Sequence, residues 1–223
     1  MMQKFDKTLL PPAPDLSFEL ALWGQNLHYV AGIDEAGRGA LAGDVAAAAV
    51  ILPDNVDLFG TLNGVRDSKQ MTSNQRQYWA GEIKRIASTW AIGFASNAEI
   101  DCLGIVPATR LAISRALEAL SLKPQYLLVD YIELPDCAIP QTALVKGDAR
   151  CLSIASASVL AKTARDELMC GYDRSFPGYG FARHKGYGTA GHRSALEQLG
   201  ASPLHRYSFA PINQMKIQGG SHV

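Results

Sequence analysis

The segment "GIDEAGRGALAG", residues 32–43, decides how the rest of the chain is interpreted. It places two adjacent acids, Asp34 and Glu35, directly after an apolar run and follows them with the turn Gly37-Arg38-Gly39. Carboxylates at the end of a buried strand are costly unless a positive partner neutralises them. The segment therefore indicates a functional site and raises the question of what that partner is.

Apolar runs on either side of this segment predict an α/β protein. Residues 29–33 and 45–52 ("VAAAAVIL") have the continuous apolar character of strands buried on both faces, and "STWAIGFASN" and "YLLVD" indicate further strands. Between and after them, apolar residues recur at helical spacing in four stretches: 73–87, 106–120, 152–168 and 190–199. This order predicts an α/β sheet with both parallel and antiparallel neighbours.

Two local features refine the helix predictions. Ser73 and Asn74 are candidate N-caps for the first of these helices. The stretch 152–168, "LSIASASVLAKTARDEL", is rich in alanine and serine. Its small side chains predict that a neighbouring backbone approaches this helix closely.

The composition excludes several classes of protein. The 223 residues are 48% apolar, enough for a sizeable core, and 21 Lys plus Arg balance 21 Asp plus Glu. The four cysteines have no CxxC spacing, which argues against a zinc site or a disulfide framework. Neither a signal peptide nor an apolar run of about 20 residues is present. We therefore expect a cytoplasmic protein with no membrane contact.

We expect three parts along the chain. Residues 1–28 contain three prolines and are predicted to form a leader or arm, with a poorly ordered terminus favoured over an ordered one. Residues 29–170 are the predicted catalytic core. Residues 171–223 are the predicted C-terminal helical extension, whose first part is aromatic, glycine-rich and basic.

Four acids follow predicted strands in the same local setting: Asp34, Glu35, Asp130 and Asp148. Loops at the ends of strands meet at one edge of an α/β sheet, so these carboxylates are expected to converge. Converging carboxylates repel one another, and a divalent cation removes that repulsion. Oxygen ligands favour Mg²⁺ or Mn²⁺, and two such ions about 4 Å apart are typical of phosphodiester hydrolysis. Helix caps, solvated loop acids and an aspartic dyad are the alternatives.

Several cations could contact a phosphate backbone. Lys69 lies in a turn, and Arg38 lies in the glycine turn. From residue 146 to residue 206, nine Lys plus Arg stand against five acids, and aromatic residues are interleaved with them. Tyr187, between two glycines in "KGYGT", is the candidate contact residue; Phe181 and Phe209 are expected in the core. Each of the five histidines is expected to be satisfied or solvated.

The ordered motifs "AGIDEAGRG", "DSK", "LLVD", "KGD" with "SIASASVLAKTARD", "HKGYGT" and "HRYSFAP" resemble those of the ribonuclease HII family over about residues 30–211. The resemblance implies a ribonuclease H-like fold: a mixed five-stranded sheet flanked by helices, with a small C-terminal helical extension. It implies an endonuclease that cleaves RNA in RNA–DNA hybrids and incises at ribonucleotides embedded in duplex DNA, leaving 3'-hydroxyl and 5'-phosphate ends.

The resemblance also assigns roles to residues. Asp34, Glu35, Asp130 and Asp148 would be the catalytic carboxylates and the ligands of two Mn²⁺ or Mg²⁺ ions. The substrate-binding residues would be Gly37, Arg38 and Gly39 at the 2'-hydroxyl, Tyr187 at the RNA-to-DNA junction, and Lys69 and Lys146 near the phosphates. A backbone turn without side chains suits contact with a 2'-hydroxyl, the group that separates RNA from DNA.

Three residues depart from the family pattern. Ala40 and Asp44 replace prolines, and Tyr131 replaces a glycine after Asp130; Asp44 is expected to add a carboxylate near the site. Another metal nuclease of the same fold and a catalytically silent nucleic-acid-binding protein are the competing hypotheses. Because fewer than 30 residues precede the first motif, we expect a type 2 enzyme, and because "QMKIQGG" has no aromatic pair, we do not interpret it as a sliding-clamp motif. We expect a monomer without an obligate protein partner.

Overall fold

The computed structural model describes residues 10–215, apart from the side chain of Phe59. A five-stranded mixed sheet has the order β3-β2-β1-β4-β5. Its strands are β1 (Val30–Ala36), β2 (Val45–Ile51), β3 (Thr89–Ala95), β4 (Tyr126–Asp130) and β5 (Gln141–Leu144). β1, β2 and β3 pair antiparallel, whereas β4 and β5 are parallel to β1. The predicted mixed five-stranded sheet is confirmed.

Eight α-helices surround the sheet within residues 10–215. They are α1 (Ser17–Trp23), α2 (Leu58–Thr61), α3 (Ser73–Ile86), α4 (Asn97–Leu103), α5 (Ile105–Glu118), α6 (Leu152–Ser175), α7 (Phe181–His184) and α8 (Ala190–Leu199). Short 3-10 helices lie at Ser68–Gln70, Gly147–Ala149 and Ile212–Gln214. The predicted core boundary at residue 170 falls inside α6, and the three-part division stays a prediction. In the described part of the chain, no helix is long and apolar enough to cross a membrane.

Both faces of the sheet are covered by an apolar layer. In β2, Ala48 and Val50 belong to the layer that packs with α6, whereas Ala47 and Ala49 belong to the layer that packs with α5. Because successive side chains of a strand point to opposite faces, a strand buried on both sides must be apolar throughout. The run "VAAAAVIL" has this property, and all seven residues of β2 are buried.

β1 packs against α6 at a distance that only glycine permits. A Cβ on Gly32 would lie 2.2 Å from the carbonyl carbon of Ser153 and 2.4 Å from the nitrogen of Ile154. The close approach predicted from the small residues of α6 is therefore present. It holds the strand that carries Asp34 and Glu35 directly against the longest helix.

The N-terminal segment differs from its prediction. Residues 10–27 are not a poorly ordered terminus, because α1 buries Trp23 in the core and Glu19 reaches the start of α6. One carboxylate oxygen of Glu19 accepts hydrogen bonds from the backbone N–H of Ser153 (2.7 Å) and from the thiol of Cys151 (3.1 Å). Residues 1–9 lie outside the described residues. The arm thus supplies the acceptor that the first turn of α6 requires.

Two further helix predictions need correction. The N-cap of α3 is Thr72, whose hydroxyl accepts from the N–H of Gln75 in a reciprocal capping box, so neither Ser73 nor Asn74 has this role. The short helix α4 was not predicted, although Ser96 and Glu99 form the same kind of capping box at its start. In both cases the hydroxyl lies three residues before a glutamine or glutamate, a signal that is visible in the sequence.

Candidate active site

Three of the four predicted acids converge. One carboxylate oxygen each of Asp34, Asp130 and Asp148 lies within 4.8 Å of the others. β1 and β4 are parallel neighbours, so Asp34 and Asp130, one residue beyond the paired Ile33 and Val129, lie side by side. The predicted strand-end placement needs refinement, because Asp34 lies within β1 and Asp148 lies in the 3-10 helix after β5.

Local hydrogen bonds hold these carboxylates in place. The N–H of Gly147 donates to Asp130 Oδ1 at 2.7 Å, and the N–H of Glu35 donates to Asp34 Oδ1 at 2.7 Å. Ser158 of α6 lies close enough to Asp34 to lower its pKa, which burial raises, and the Ser158 hydroxyl lies 2.9 Å from that of Ser68. Lys146 adopts a left-handed conformation, φ 56°, which turns the chain so that Gly147 faces Asp130. The site is thus assembled by rigid elements.

The electrostatics of this group favour a cation. Burial, followed by the charges of Glu35 and Asp130, raises the pKa of Asp34 well above its ordinary value. Burial and the charge of Asp148 raise the pKa of Asp130 to about 6. Burial also raises the pKa of Asp148, although Lys69 opposes the shift. Three oxygen donors that resist ionisation together form a ligand set suited to a hard divalent cation.

Glu35 is not a member of this group of three. Adjacent residues of a strand point to opposite faces, so Glu35 cannot share the direction of Asp34 while β1 is regular. Its Oε1 accepts from Arg38 Nη1 at 3.3 Å. Burial raises the pKa of Glu35 and Arg38 lowers it in part, while the charge of Asp130 contributes as well. Glu35 therefore lies beside the group, paired with the arginine of the glycine turn.

Two predicted phosphate contacts lie at the same edge. Lys69 Nζ is 3.7 Å from Asp148 Oδ2, and its side chain is 77% exposed. The carboxylate of Asp67 holds the turn by accepting from the N–H of Lys69 at 2.9 Å. Lys146 is exposed and close enough to lower the pKa of Asp148, which burial raises. Both ammonium groups are therefore available to a ligand beside the acids.

The turn Gly37-Arg38-Gly39 is bound by a buried arginine through a carbonyl group, whereas two of its N–H groups have no acceptor in the described part of the chain. Arg206, fully buried, donates from Nη1 to the carbonyl of Arg38 (2.8 Å) and from Nε to that of Gly43 (3.0 Å). Within residues 10–215, the N–H groups of Arg38 and Gly39 donate to no acceptor. A Cβ on Gly39 would meet no atom within 4 Å. The turn thus presents free donors to solvent.

Tyr187 lies over α6, on the same side as the acids. Its ring is 5.6 Å from Lys162 Nζ and 5.5 Å from the guanidinium carbon of Arg165. Lys162 and Arg165 follow Ser158, which lies beside Asp34, by four and seven residues, and therefore lie on the same helix face. Tyr187 is half-buried, so one part of its ring remains accessible.

The three departures from the family pattern have separate outcomes. Asp44 does not join the acids: its carboxylate lies 3.5 Å from the hydroxyl of Tyr172, and its carbonyl accepts from Arg165 Nε at 2.8 Å. Ala40 is fully buried. Tyr131 has φ 61°, a left-handed conformation that glycine adopts without strain, and its side chain is 54% exposed.

The structural roles of four residues were not predicted from the sequence. Arg165 and Arg206 were counted only as part of a basic region, yet both are fully buried and donate to backbone carbonyls of residues 38–44. His192 and His205 were expected to be satisfied or solvated, and both are buried and hydrogen-bonded to each other. Their positions, in "GHRS" and "HRYSFAP", carry no periodic signal that would have separated them from surface residues. His222 lies outside the described residues.

A mixed sheet with helices on both faces, and converging carboxylates on two parallel strands and on the 3-10 helix after β5, are the arrangement expected of a metal-dependent nuclease with a ribonuclease H-like fold. Comparison with known proteins identifies the family within this class. Residues 31–212 match the family model described as Ribonuclease HII. The chain therefore belongs to the ribonuclease HII family, metal-dependent endonucleases that act on the RNA of RNA–DNA hybrids.

Relatives support the assignment over most of the chain. A ribonuclease HII of Dehalococcoides mccartyi is 49% identical over 202 residues, covering 91% of this chain and 95% of that protein. The ribonuclease H2 structure from Pyrococcus horikoshii has a TM-score of 0.68 and 24% identity, covering 83% of this chain and 95% of that one. The structure of the PCNA:RNase HII complex from Archaeoglobus fulgidus has a TM-score of 0.67 and 25% identity, covering 79% and 91%.

Proposed function

We propose that this chain hydrolyses the RNA strand of hybrids and incises at single ribonucleotides in duplex DNA, using two divalent ions held by Asp34, Glu35, Asp130 and Asp148. The observation that carries the proposal is the group of three converging carboxylates, two buried and one half-buried, beside a turn with free backbone donors. The carboxylates supply the chemistry, and the turn supplies selectivity for RNA.

The carboxylates fit a hard divalent cation in donor type and spacing. All three converging groups offer oxygen, and their raised pKa values show that the group is short of positive charge. Bound Mn²⁺ or Mg²⁺ ions would activate a water for attack on the phosphorus and neutralise charge on the departing 3'-oxygen. Glu35 would contribute from beside the group, after exchanging its contact with Arg38 for the cation.

The chain's own residues would bind and orient the substrate. Lys69 and Lys146 provide exposed ammonium groups that can hold phosphates next to the scissile bond. The free N–H groups of Arg38 and Gly39 can donate to a 2'-hydroxyl, which DNA lacks. Tyr187 can pack on the sugar at the RNA-to-DNA junction, where its ring is supported by Lys162 and Arg165.

We further propose that the enzyme acts as a monomer without an obligate protein partner. The related protein from Archaeoglobus fulgidus has been observed in a complex with PCNA. In this chain, "QMKIQGG" has no aromatic pair, and residues 216–220 of that stretch lie outside the described residues. The cytoplasmic location stays a prediction from the sequence.

Three substrates test the proposal together: a DNA duplex with one ribonucleotide, a long RNA–DNA hybrid and an all-DNA duplex. With Mn²⁺ or Mg²⁺ we expect incision of the first two, with 3'-hydroxyl and 5'-phosphate ends, and none of the third; EDTA should abolish all cleavage. Absence of incision at the single ribonucleotide would contradict the proposal. Equal cleavage of the all-DNA duplex would instead indicate a general nuclease.

A further inference from the structure

A chain of hydrogen bonds through two buried histidines ends at Tyr187. Ser202 N–H lies 2.9 Å from His205 Nδ1, His205 Nε2 lies 3.0 Å from His192 Nε2, and His192 Nδ1 lies 3.0 Å from the carbonyl of Tyr187. Both rings are fully buried. His184 stacks on His192 with ring centroids 4.3 Å apart, which restricts rotation of the His192 ring.

The partners determine which nitrogen carries each proton. A backbone N–H can only donate, so His205 Nδ1 accepts from Ser202 and its proton is on Nε2. His205 therefore donates to His192 Nε2, and His192 donates from Nδ1 to the carbonyl of Tyr187. The opposite tautomers would let His205 Nδ1 donate to the Ser202 carbonyl, at 3.2 Å, but would leave a lone pair of His192 facing the Tyr187 carbonyl.

Burial favours the neutral form of both rings. Burial, followed by the charge of His192, lowers the pKa of His205 to about 4. Burial likewise lowers the pKa of His192. Neutral rings have one donor and one acceptor each, which is the condition for a directed chain of hydrogen bonds.

Arg206, the residue after His205, binds the Gly37-Arg38-Gly39 turn, the other element proposed to contact the substrate. Arg206 donates to the carbonyls of Arg38 and Gly43, and the backbone of His205 pairs with that of Ala42. Adjacent residues of one segment thus bind the glycine turn on one side and, through His192, Tyr187 on the other. Residues 202–206 therefore form one of the links between these two elements. Other links are the bond from Leu41 N–H to the Gly186 carbonyl (2.8 Å) and the bonds from Arg165 to the carbonyls of Ala42 and Lys185.

We propose that His192 and His205 are positioning residues that hold Tyr187 at a defined spacing from the Gly37-Arg38-Gly39 turn and thereby set the preference for RNA-to-DNA junctions. The inference rests on the proposed role of Tyr187. To recognise a single ribonucleotide, the glycine turn must contact its 2'-hydroxyl while Tyr187 contacts the deoxyribose that follows. A shift of Tyr187 therefore lowers activity on that substrate more than on a continuous hybrid. Thr189 N–H also donates to the Tyr187 carbonyl. Loss of the bond from His192 therefore leaves this carbonyl with one hydrogen bond, and Tyr187 becomes more mobile but stays in place.

Asn and Gln substitutions separate positioning from packing, because each preserves a different nitrogen of histidine. Asn places its amide near the position of Nδ1, and Gln places its amide near that of Nε2. At residue 192 the required donor is Nδ1, so His192→Asn should keep the junction preference and His192→Gln should lose it. At residue 205 the required donor is Nε2, so His205→Gln should keep the preference and His205→Asn should lose it.

The measurement is the ratio of kcat/KM on a single-ribonucleotide duplex to kcat/KM on a long hybrid, with thermal melting of each variant. We expect the ratio to fall about tenfold for His192→Gln, the loss of one hydrogen bond, and several-fold for His205→Asn. If the histidines serve only to fill space, the smaller Asn should lower the ratio more than Gln at both positions. That result would overturn the proposal. So would an unchanged ratio in both His192→Gln and His205→Asn.

Tyr187→Ala distinguishes failure of this inference from failure of the proposed function. If Tyr187→Ala lowers the ratio while the histidine variants do not, only the positioning role is wrong. If Tyr187→Ala leaves the ratio unchanged, the proposed role of Tyr187 fails and the positioning role fails with it. Both the positioning role and the proposed role of Tyr187 are supported if Asn keeps the junction preference at residue 192 and Gln keeps it at residue 205.

Discussion

A substitution at Gly39 can separate an effect on substrate binding from an effect on the stability of the fold. A Cβ there meets no atom within 4 Å, and the residue is exposed. We predict that Gly39→Ala changes the free energy of unfolding by less than about 1 kcal/mol but raises KM for a hybrid about tenfold, because the methyl group occupies the approach to the backbone donors. Urea denaturation and steady-state cleavage measure the two effects.

Gly81→Ala is the matched control. Gly81 is also exposed, and its Cβ would also meet no atom within 4 Å, but it lies on α3. Its KM should equal that of the wild type. If Gly39→Ala and Gly81→Ala give the same KM, the glycine turn does not contact the substrate.

Tyr131 carries a conformational cost that the family's usual glycine avoids. A residue with a Cβ at φ 61° is strained by about 1 kcal/mol. We predict that Tyr131→Gly raises the free energy of unfolding by up to about 1 kcal/mol, measured by urea denaturation in EDTA. Tyr131→Ala keeps the strain and removes the ring, so it should give no gain. A loss of stability in Tyr131→Gly would show that the ring contributes packing.

At the scale of elements, α6 depends on an acceptor from outside the helix. Its N-cap, Cys151, makes no side-chain capping bond, and Glu19 of α1 accepts from Ser153 N–H instead. We predict that Glu19→Ala lowers the free energy of unfolding by about 1–3 kcal/mol, because it leaves a buried donor unsatisfied. Chemical denaturation measures the change.

Glu19→Gln is the control for the role of charge. The amide oxygen can still accept from Ser153, and burial already raises the pKa of Glu19, so the protein tolerates a neutral group there. The loss should be less than half of that in Glu19→Ala. Equal losses in both variants would mean that the negative charge, and not the acceptor, stabilises the start of α6.

The elements were predictable where one physical signal dominated. The uniform apolar run of β2 and the helical spacing of α8 predicted both elements to within about one residue. The helix α3 begins at residue 73 as predicted, but its N-cap was wrong because Ser73 and Asn74 are themselves good caps, and only the reciprocal bond with Gln75 selects Thr72. The order of residues 10–27 was missed because Glu19 and Trp23 are stabilised by contacts with residues far along the chain.

At the scale of the molecule, the topology assembles the site. β1 and β4 are parallel, which brings Asp34 and Asp130 together, and the turn after β5 adds Asp148. The sequence predicted that the four acids converge; three of them do, and Glu35 lies beside them, paired with Arg38. The supports from Arg165, Arg206 and the histidines were not predictable, since buried polar residues are recognised by three-dimensional contacts and not by periodicity.

Metal binding should stabilise the whole fold, because cations relieve the repulsion among buried carboxylates. We predict that Mn²⁺ raises the melting temperature relative to EDTA. Asp130→Asn should raise the melting temperature in EDTA and reduce the shift caused by Mn²⁺. Asp136→Asn, which changes an exposed acid of the loop after β4, should keep the full shift. An equal shift in Asp130→Asn would place the metal elsewhere.

In the proposed mechanism, the converging acids cut a substrate that other residues recognise. The most direct test compares wild type and Asp34→Asn on a DNA duplex with one ribonucleotide, in Mn²⁺, measuring single-turnover incision and equilibrium binding. We predict that Asp34→Asn binds the duplex measurably and does not incise it, because Asp34 is one of the three converging carboxylates proposed to hold the metal ions. A near-normal incision rate in Asp34→Asn would contradict the account.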